Sequence, residues 1–393
     1  MGALGHVRGA NMADDTEKAI IYAFDQSGDV PADLRERALG YLRDLQVRPG
    51  RLTPLRRRVV CLLGHSLFVV AVVVGSYRRL LLTTQLLIQP QSTQASPDGW
   101  KQCVPRYQST TYPEVRFWCL QTLADAIKLH HASLSEQDAA ALRSHVASWV
   151  HESTSPATTP PVPFFIQNKL AQVCARLVGR EYPHRWPSFF HDLLELASTA
   201  GDGGLNALTR VLDAIDDEVI SSGDTHGTYG PNEVPPSVRI KDAMRADAGL
   251  LPKIVEALRV IVATGIERRS FQIVAAGADT ARRYAEWVDV ALFTDGAFMR
   301  TVHSMMSCDF SQAGTRLKAS EFLTAVCHKG LDHGAKVALI ARLDLVNTCR
   351  ALQAACASTI ASADDPEDPE LEEGEMRAAA LVAAVGNEVR LFG

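Results

Sequence analysis

The chain has 393 residues, 47% of them hydrophobic, which is enough apolar material for two or three compact domains or one extended helical array. Its formal net charge of −5 excludes a dedicated non-specific nucleic-acid binder, which would be basic overall, so any contact with nucleic acid must come from local patches. The eight cysteines form no Cys-x-x-Cys pair and no zinc-type spacing, and their places within helical apolar patterns read as buried free thiols.

Helical periodicity dominates, and strand-like alternation is almost absent. Asp14 to Gln26 and Pro31 to Gln46 read as the first pair of amphipathic helices, the second turning Leu34, Ala38, Tyr41, Leu42 and Leu45 inward. Residues 47–95 break the pattern. They carry seven arginines, no acid, and an apolar run from Val59 to Tyr77 that approaches the roughly 20 residues of a membrane-crossing helix. Three readings stay open: translated non-coding sequence, a disordered insert, or a membrane segment. The helical patterns on both sides, and a repeat of ordinary length once Leu45 is joined to Pro97, favour the first reading.

Beyond that segment the spacing predicts helices over Pro97 to Arg106 and Tyr112 to Ala132. Ser133, three residues before Glu136, supplies a capping-box start for a helix carrying Leu142, Val146, Trp149 and Val150. Between Phe164 and Leu194, Ile166, Leu170, Val173 and Leu177 make one apolar stripe. Glu181-Tyr182-Pro183 stops that helix, and Trp186, Phe189 and Phe190 begin the next apolar face. Further helices are expected over Leu205–Ile220, Val238–Gly265, Ser270–Phe293, Ala297–Ser307, Gly314–His328, Asp332–Ile360 and Met376–Arg390. An acidic run, Asp364 to Glu375, reads as a solvated loop without the spacing of a calcium-binding hand. The spacing of the second helices of each pair predicts an all-α solenoid of HEAT-type antiparallel helix pairs.

Catalytic patterns are missing. No Gly-x-x-x-x-Gly-Lys-Ser/Thr, His-Glu-x-x-His or Gly-x-Ser-x-Gly string occurs, and His130-His131 reads as the polar end of a helix. The expectation is a protein that is no enzyme, with no cofactor and no metal.

Ile166, Asn168, Lys169, Ala171, Gln172 and Val173, followed by Glu181, Tyr182, Pro183, Trp186, Phe189, Phe190 and Asp192, resemble the exportin-1/importin-β-like module of nuclear transport receptors. Arg35–Leu42, Val115–Leu123, Ala214–Val219, Ile240–Arg245 and the Pro97-Asp98-x-Trp100 string are similar to the tRNA-exportin branch of that karyopherin family. The resemblance covers about residues 13–46 and 97–350. It divides the chain into a first HEAT repeat at 13–46, the atypical insert at 47–95, exportin-like N-terminal repeats at 97–265, and further repeats at 266–393 that break off as in an N-terminal portion. It implies a HEAT solenoid that shuttles between nucleus and cytoplasm. Such a receptor holds GTP-bound Ran and tRNA, passes nuclear pore proteins, and keeps no stable membrane association. The alternatives are another karyopherin with protein cargo, or a helical scaffold anchored by the apolar segment.

On that resemblance Arg37, Arg116, Asn168 and Lys169, polar residues on the second helices, are candidate contacts to Ran. The competing expectation is that Asn168 and Arg116 tie neighbouring repeats together. Lys241, Arg245, Arg268, Arg269, Arg282 and Arg283 form the densest basic set outside the insert and are candidate contacts to tRNA phosphates, against a plain solvated helix surface.

Overall fold

The computed structural model describes residues 15–24, 30–45, 99–158, 160–221, 234–294, 296–307, 312–351, 354, 379–383 and 385–386. The apolar run at Val59–Tyr77, the acidic run at Asp364–Glu375, most of the segment expected to be helical at Met376–Arg390, and Cys61, Cys308 and Cys356 lie outside the described residues. Among the described residues every regular element is helical, and no helix is long and apolar enough to cross a membrane. The chain divides into two compact units, residues 1–145 and 146–393.

The first unit contains α1 (Asp15–Phe24), α2 (Ala32–Leu45), α3 (Gly99–Ser109), α4 (Pro113–His130) and the start of α5 (Glu136–Thr154). α1 packs on α2 and on α4, and α3 packs on α4. Trp118, Cys119, Leu120 and Leu123 of α4 are buried, so this helix is the centre of the unit. The start of α5 differs from the capping-box expectation. Ser135, not Ser133, is the cap: its Oγ accepts from the Asp138 amide at 3.1 Å, while the Ser133 hydroxyl donates back to the His130 carbonyl. The Ser133–Glu136 spacing is right for a cap, but a 3-10 turn at His131–Ser133 already occupies Ser133.

In the second unit α6 (Phe164–Glu181) is followed by α7 (Phe189–Thr199), α8 (Gly201–Ile215) and a π-turn at Asp216–Ile220. Then come α9 (Pro236–Ala246), α10 (Leu250–Glu267), α11 (Phe271–Ala285) and the single turn α12 (Val290–Phe293). α13 (Gly296–Ser307), α14 (Gln312–Cys327) and α15 (His333–Arg342) complete the described set of named helices. The contacts sort these helices into two layers. α7, α10 and α13 stack in one row, the A layer, while α6, α8, α11 and α14 stack in the other, the B layer. Each A helix also packs on the B helix that follows it, so the unit repeats as HEAT-type pairs.

The apolar stripes explain the stacking. Ile166, Leu170, Val173 and Leu177 of α6 are fully buried, as their spacing predicts. Beyond the turn, Tyr182, Phe189 and Phe190 pack edge to face at centroid distances near 4.9 Å. α10 and α11 approach most closely where side chains vanish: a Cβ on Gly265 would meet the Val274 amide nitrogen at 2.7 Å, and one on Gly277 would meet Ile261 and Val262 at 2.9 Å.

Three expected helices are each split in two. The span Val238–Gly265 breaks because Asp247 folds back on the chain, its carboxylate accepting from the Gly249 amide at 3.2 Å, and α10 restarts with Pro252 in its first turn, where a missing N–H costs nothing. Ser270–Phe293 breaks at Glu286–Asp289, where Asp289 caps α12 by accepting from the Ala291 amide at 2.9 Å. Asp332–Ile360 breaks at Asp344, which adopts φ of 50°. The apolar rhythm runs through all three breaks, so periodicity alone does not reveal them.

A ladder of charges runs along the B layer. Arg176 of α6 donates to Glu218 of the π-turn at 2.9 Å, and Gln172 donates to the same carboxylate. Arg283 of α11 lies against Asp213 at 3.9 Å, Asp216 at 3.3 Å and, more closely, Asp217. Lys318 of α14 pairs with Asp279 of α11 at 2.9 Å and with Glu321 of its own helix at 3.1 Å. Burial opposes the charge on Arg283, but the three carboxylates outweigh it and hold the guanidinium above its ordinary value. Cations also cap the ends of B helices: Arg239 donates to the Gly179 and Tyr182 carbonyls at the end of α6, and Lys329 to the Ala285 and Val288 carbonyls after α11.

One guanidinium cannot satisfy three carboxylates equally. Asp213 is the most distant, and burial pushes its carboxyl up to about 7, helped by the Asp217 and Asp279 charges and opposed by the Thr280 hydroxyl and Arg283. A carboxyl whose native pKa lies above its unfolded value stabilises the fold only while it is protonated, so its contribution is lost as pH rises through the native value. Relative to Asp213→Asn, the parent chain should therefore lose stability between pH 5 and pH 8, by about 1 kcal/mol or more. Urea midpoints at the two pH values check this, and an equal gap at both would contradict it. Arg283→Met leaves three acids without their cation and should cost about 3 kcal/mol at pH 7.5; addition of Asp213→Asn to that variant should recover part of the loss.

Candidate functional site

The described residues hold no group of three or more His, Cys, Asp or Glu side chains placed to bind a metal. What the second unit offers is surface, and the sequence candidates fall on it unevenly.

Asn168, Lys169 and Gln172 share one end of α6 with α8. Lys169 is buried, and its ammonium donates to the Gln172 amide oxygen at 2.6 Å. The Asn168 amide oxygen accepts from Arg210 of α8, which ties neighbouring B helices together. Arg210 also donates to Asn206 at 3.1 Å and lies under the Phe164 ring at 5.1 Å. Neither Phe164 nor Arg210 stands out in the sequence. Neither was among the sequence candidates; only the structure brings them together.

Arg116 and Arg37 belong to the first unit. Arg116 of α4 covers the Tyr107 ring of α3 at 5.5 Å, binding the two helices of one pair. Arg37 is exposed and pairs with Asp33 one turn earlier at 2.6 Å.

The basic set divides along α11. Residues 269 and 283 lie at its two ends, about 20 Å apart at 1.5 Å per residue. At the start, Arg268 pairs with Asp202, and Arg269 takes φ of 53°. Its amide bonds to the Ile266 carbonyl while the Ser270 amide reaches Gly265, the helix-ending motif that usually employs glycine. At the far end, Arg282 pairs with Glu286 at 3.2 Å, and Arg283 is engaged by the three aspartates. Its guanidinium is thus engaged within the ladder.

Lys241 and Arg245 of α9 converge on this same end. Both lie over the Trp287 indole, at 5.8 and 5.6 Å from the ring centre, and Arg245 also donates to the Trp287 carbonyl at 2.9 Å and pairs with Asp242 at 3.1 Å. Lys329 sits nearby, and burial together with the Arg245 charge lowers its pKa, against the opposing pull of Asp289. Two cations held side by side on one ring make the clearest anion-facing feature among the described basic residues. Trp287 was not among the sequence candidates, because its role depends on a helix some forty residues earlier.

Comparison with known proteins places this architecture. The model of the family "Exportin 1-like protein" matches residues 163–323, which span the B-layer helices α6 to α14. The chain is 35% identical to Exportin-T of Oryza sativa subsp. japonica over 243 residues, 61% of this chain and 23% of that protein. It is 30% identical to Exportin-T of Arabidopsis thaliana over 268 residues, 67% of this chain and 26% of that protein. Against Exportin-T of Dictyostelium discoideum the identity is 26% over 384 residues, 96% of this chain and 27% of that protein. The chain spans about a quarter of the length of these relatives. With its paired helices in two layers and these likenesses along most of its length, the chain is an exportin-T-like karyopherin.

Proposed function

We propose that the chain is a portion of a nuclear export receptor that carries tRNA together with GTP-bound Ran, shuttles between nucleus and cytoplasm, and engages nuclear pore proteins on the way. The observation that carries the reading is the likeness to Exportin-T proteins over three-fifths or more of the chain. The chain has no nucleotide-binding loop of its own, so GTP enters on the partner.

The B layer is the proposed ligand-facing layer. Asn168, Lys169 and their neighbours on α6 and α8, with Arg37 and Arg116 of the first unit, are the proposed Ran side. Lys241 and Arg245, spread over Trp287, are the proposed phosphate contacts, with Arg268, Arg269 and Arg282 as weaker ones. Contacts of this kind read backbone charge rather than base identity. Cooperation between the two ligands is a coupling free energy: each must favour the same arrangement of the B-layer helices.

The chain should bind tRNA at least about 5-fold more tightly in the presence of Ran-GTP than of Ran-GDP. Fluorescence anisotropy with labelled tRNA measures this, and equal affinities would refute the reading. Displacement of tRNA by folded protein cargo at comparable concentration would favour a protein-carrying karyopherin instead. The double variant Lys241→Ala, Arg245→Ala should flatten the log–log salt dependence of tRNA binding by about 1.4–1.8, at roughly 0.7–0.9 per phosphate released. An unchanged slope would remove these two residues from the interface.

A further inference from the structure

The first unit holds two thiols that the export reading does not use. α3 packs on α4, and its buried face is Trp100, Cys103, Val104 and Tyr107. Across that seam Cys103 meets Cys119 of α4: the two thiols are in hydrogen-bonding contact and are 1% and 0% exposed. About one turn away, Arg116 of α4 lies over the Tyr107 ring of α3, so the thiols sit beside a contact that already joins the two helices.

The pair differs chemically from other described cysteines. Burial pushes Cys174 up to about 12 and moves Cys349 upward as well. At Cys103 the contact with Cys119, helped by the Thr122 side chain and the Arg106 charge, outweighs burial and favours the thiolate. Cys119 is held neutral, first by its contact with Cys103 and then by burial. A thiolate-prone sulfur touching a neutral thiol is the pairing that reversible oxidation requires, an attacking group and a resolving group. Access comes through α3. This helix has only 11 residues, and Pro105 within it supplies no amide to the hydrogen-bond ladder. Local opening of such a helix needs less free energy than unfolding of the unit, and it admits a molecule the size of hydrogen peroxide.

We propose that Cys103 and Cys119 are a reversible redox pair, which a hydroperoxide converts to a disulfide that staples α3 to α4. The Cys103 thiolate attacks one peroxide oxygen; the S–O bond forms, the O–O bond breaks, and the other oxygen leaves as an alcohol or water after taking up a proton. The peroxide is reduced by two electrons and Cys103 becomes a neutral sulfenic acid, which removes the charge that keeps Cys119 protonated. The Cys119 sulfur then displaces hydroxide from Cys103: the S–S bond forms, the S–O bond breaks, and the Cys119 proton leaves with the hydroxide as water. A small dithiol reverses the process by thiol–disulfide exchange, returning both cysteines to thiols.

The test is peptide mapping of the full 393-residue chain, reduced, exposed to hydrogen peroxide, then alkylated and digested without reductant, with all eight cysteines followed. The first disulfide to form should link Cys103 to Cys119, and dithiothreitol should restore both thiols. In Cys119→Ala the Cys103 sulfenic acid should accumulate and be trapped by dimedone. Amides of α3 should exchange with deuterium at least about 10-fold more slowly in the oxidised parent chain than in the reduced one. Cys103 and Cys119 still reduced after other cysteines have oxidised would overturn the redox pair. Unchanged exchange in α3 of the disulfide form would overturn the staple. The parent chain decides both points, so the outcome stands even if Cys119→Ala fails to fold. Neither Ran nor tRNA is present, so the result is independent of the export reading.

Discussion

The charge ladder of the B layer is the constraint on which the rest of the second unit depends. Apolar stripes such as Ile166–Leu177 make helices stack, but stripes alone tolerate sliding, because one Leu or Val packs much like another. Ions brought partly out of water tolerate far less. Each must meet its counter-charge at hydrogen-bonding distance or cost several kcal/mol. Arg176 on Glu218, Arg283 among Asp213, Asp216 and Asp217, and Lys318 on Asp279 therefore fix the register of α6, α8, α11 and α14 step by step. The A layer lies on the other side of each pair and follows that register.

The same ladder separates structural from available charge. Arg283 satisfies acids of the preceding repeat, so its basicity is consumed internally. Lys241 and Arg245 are held by a neutral indole, which positions them while leaving their charge largely uncompensated apart from Asp242. Arg210 lies between these cases, oriented by amides and lacking a carboxylate. A layer that must be polar to keep register is thereby also a layer on which a few unmatched charges can receive partners.

Much of the architecture was legible in the sequence, because an apolar repeat of 3.6 residues depends only on local spacing. The α6 stripe and its stop at Glu181 appear where that spacing puts them. Local chemistry that competes with periodicity was harder to read. Asp247 breaks a continuous apolar rhythm by an Asx turn, and Ser135 displaces Ser133 as a cap because a preceding 3-10 turn uses the latter. The site was less legible still. Whether Arg283 is free or paired depends on residues 66 to 70 positions earlier, and the roles of Trp287 and Phe164 depend on cations contributed by other helices. Charge type can be read from one residue, but charge compensation is a property of the folded pair.

The central claim is that ligands meet this chain on the B layer. Hydrogen–deuterium exchange of the chain alone, with Ran-GTP, and with Ran-GTP plus tRNA tests it most directly. The account predicts added protection in peptides from α6, α8, α9 and the α11–α12 segment around Trp287, with little change in α7 and α13 of the A layer. Protection concentrated on α7 and α13, with the B-layer peptides unaltered, would contradict it.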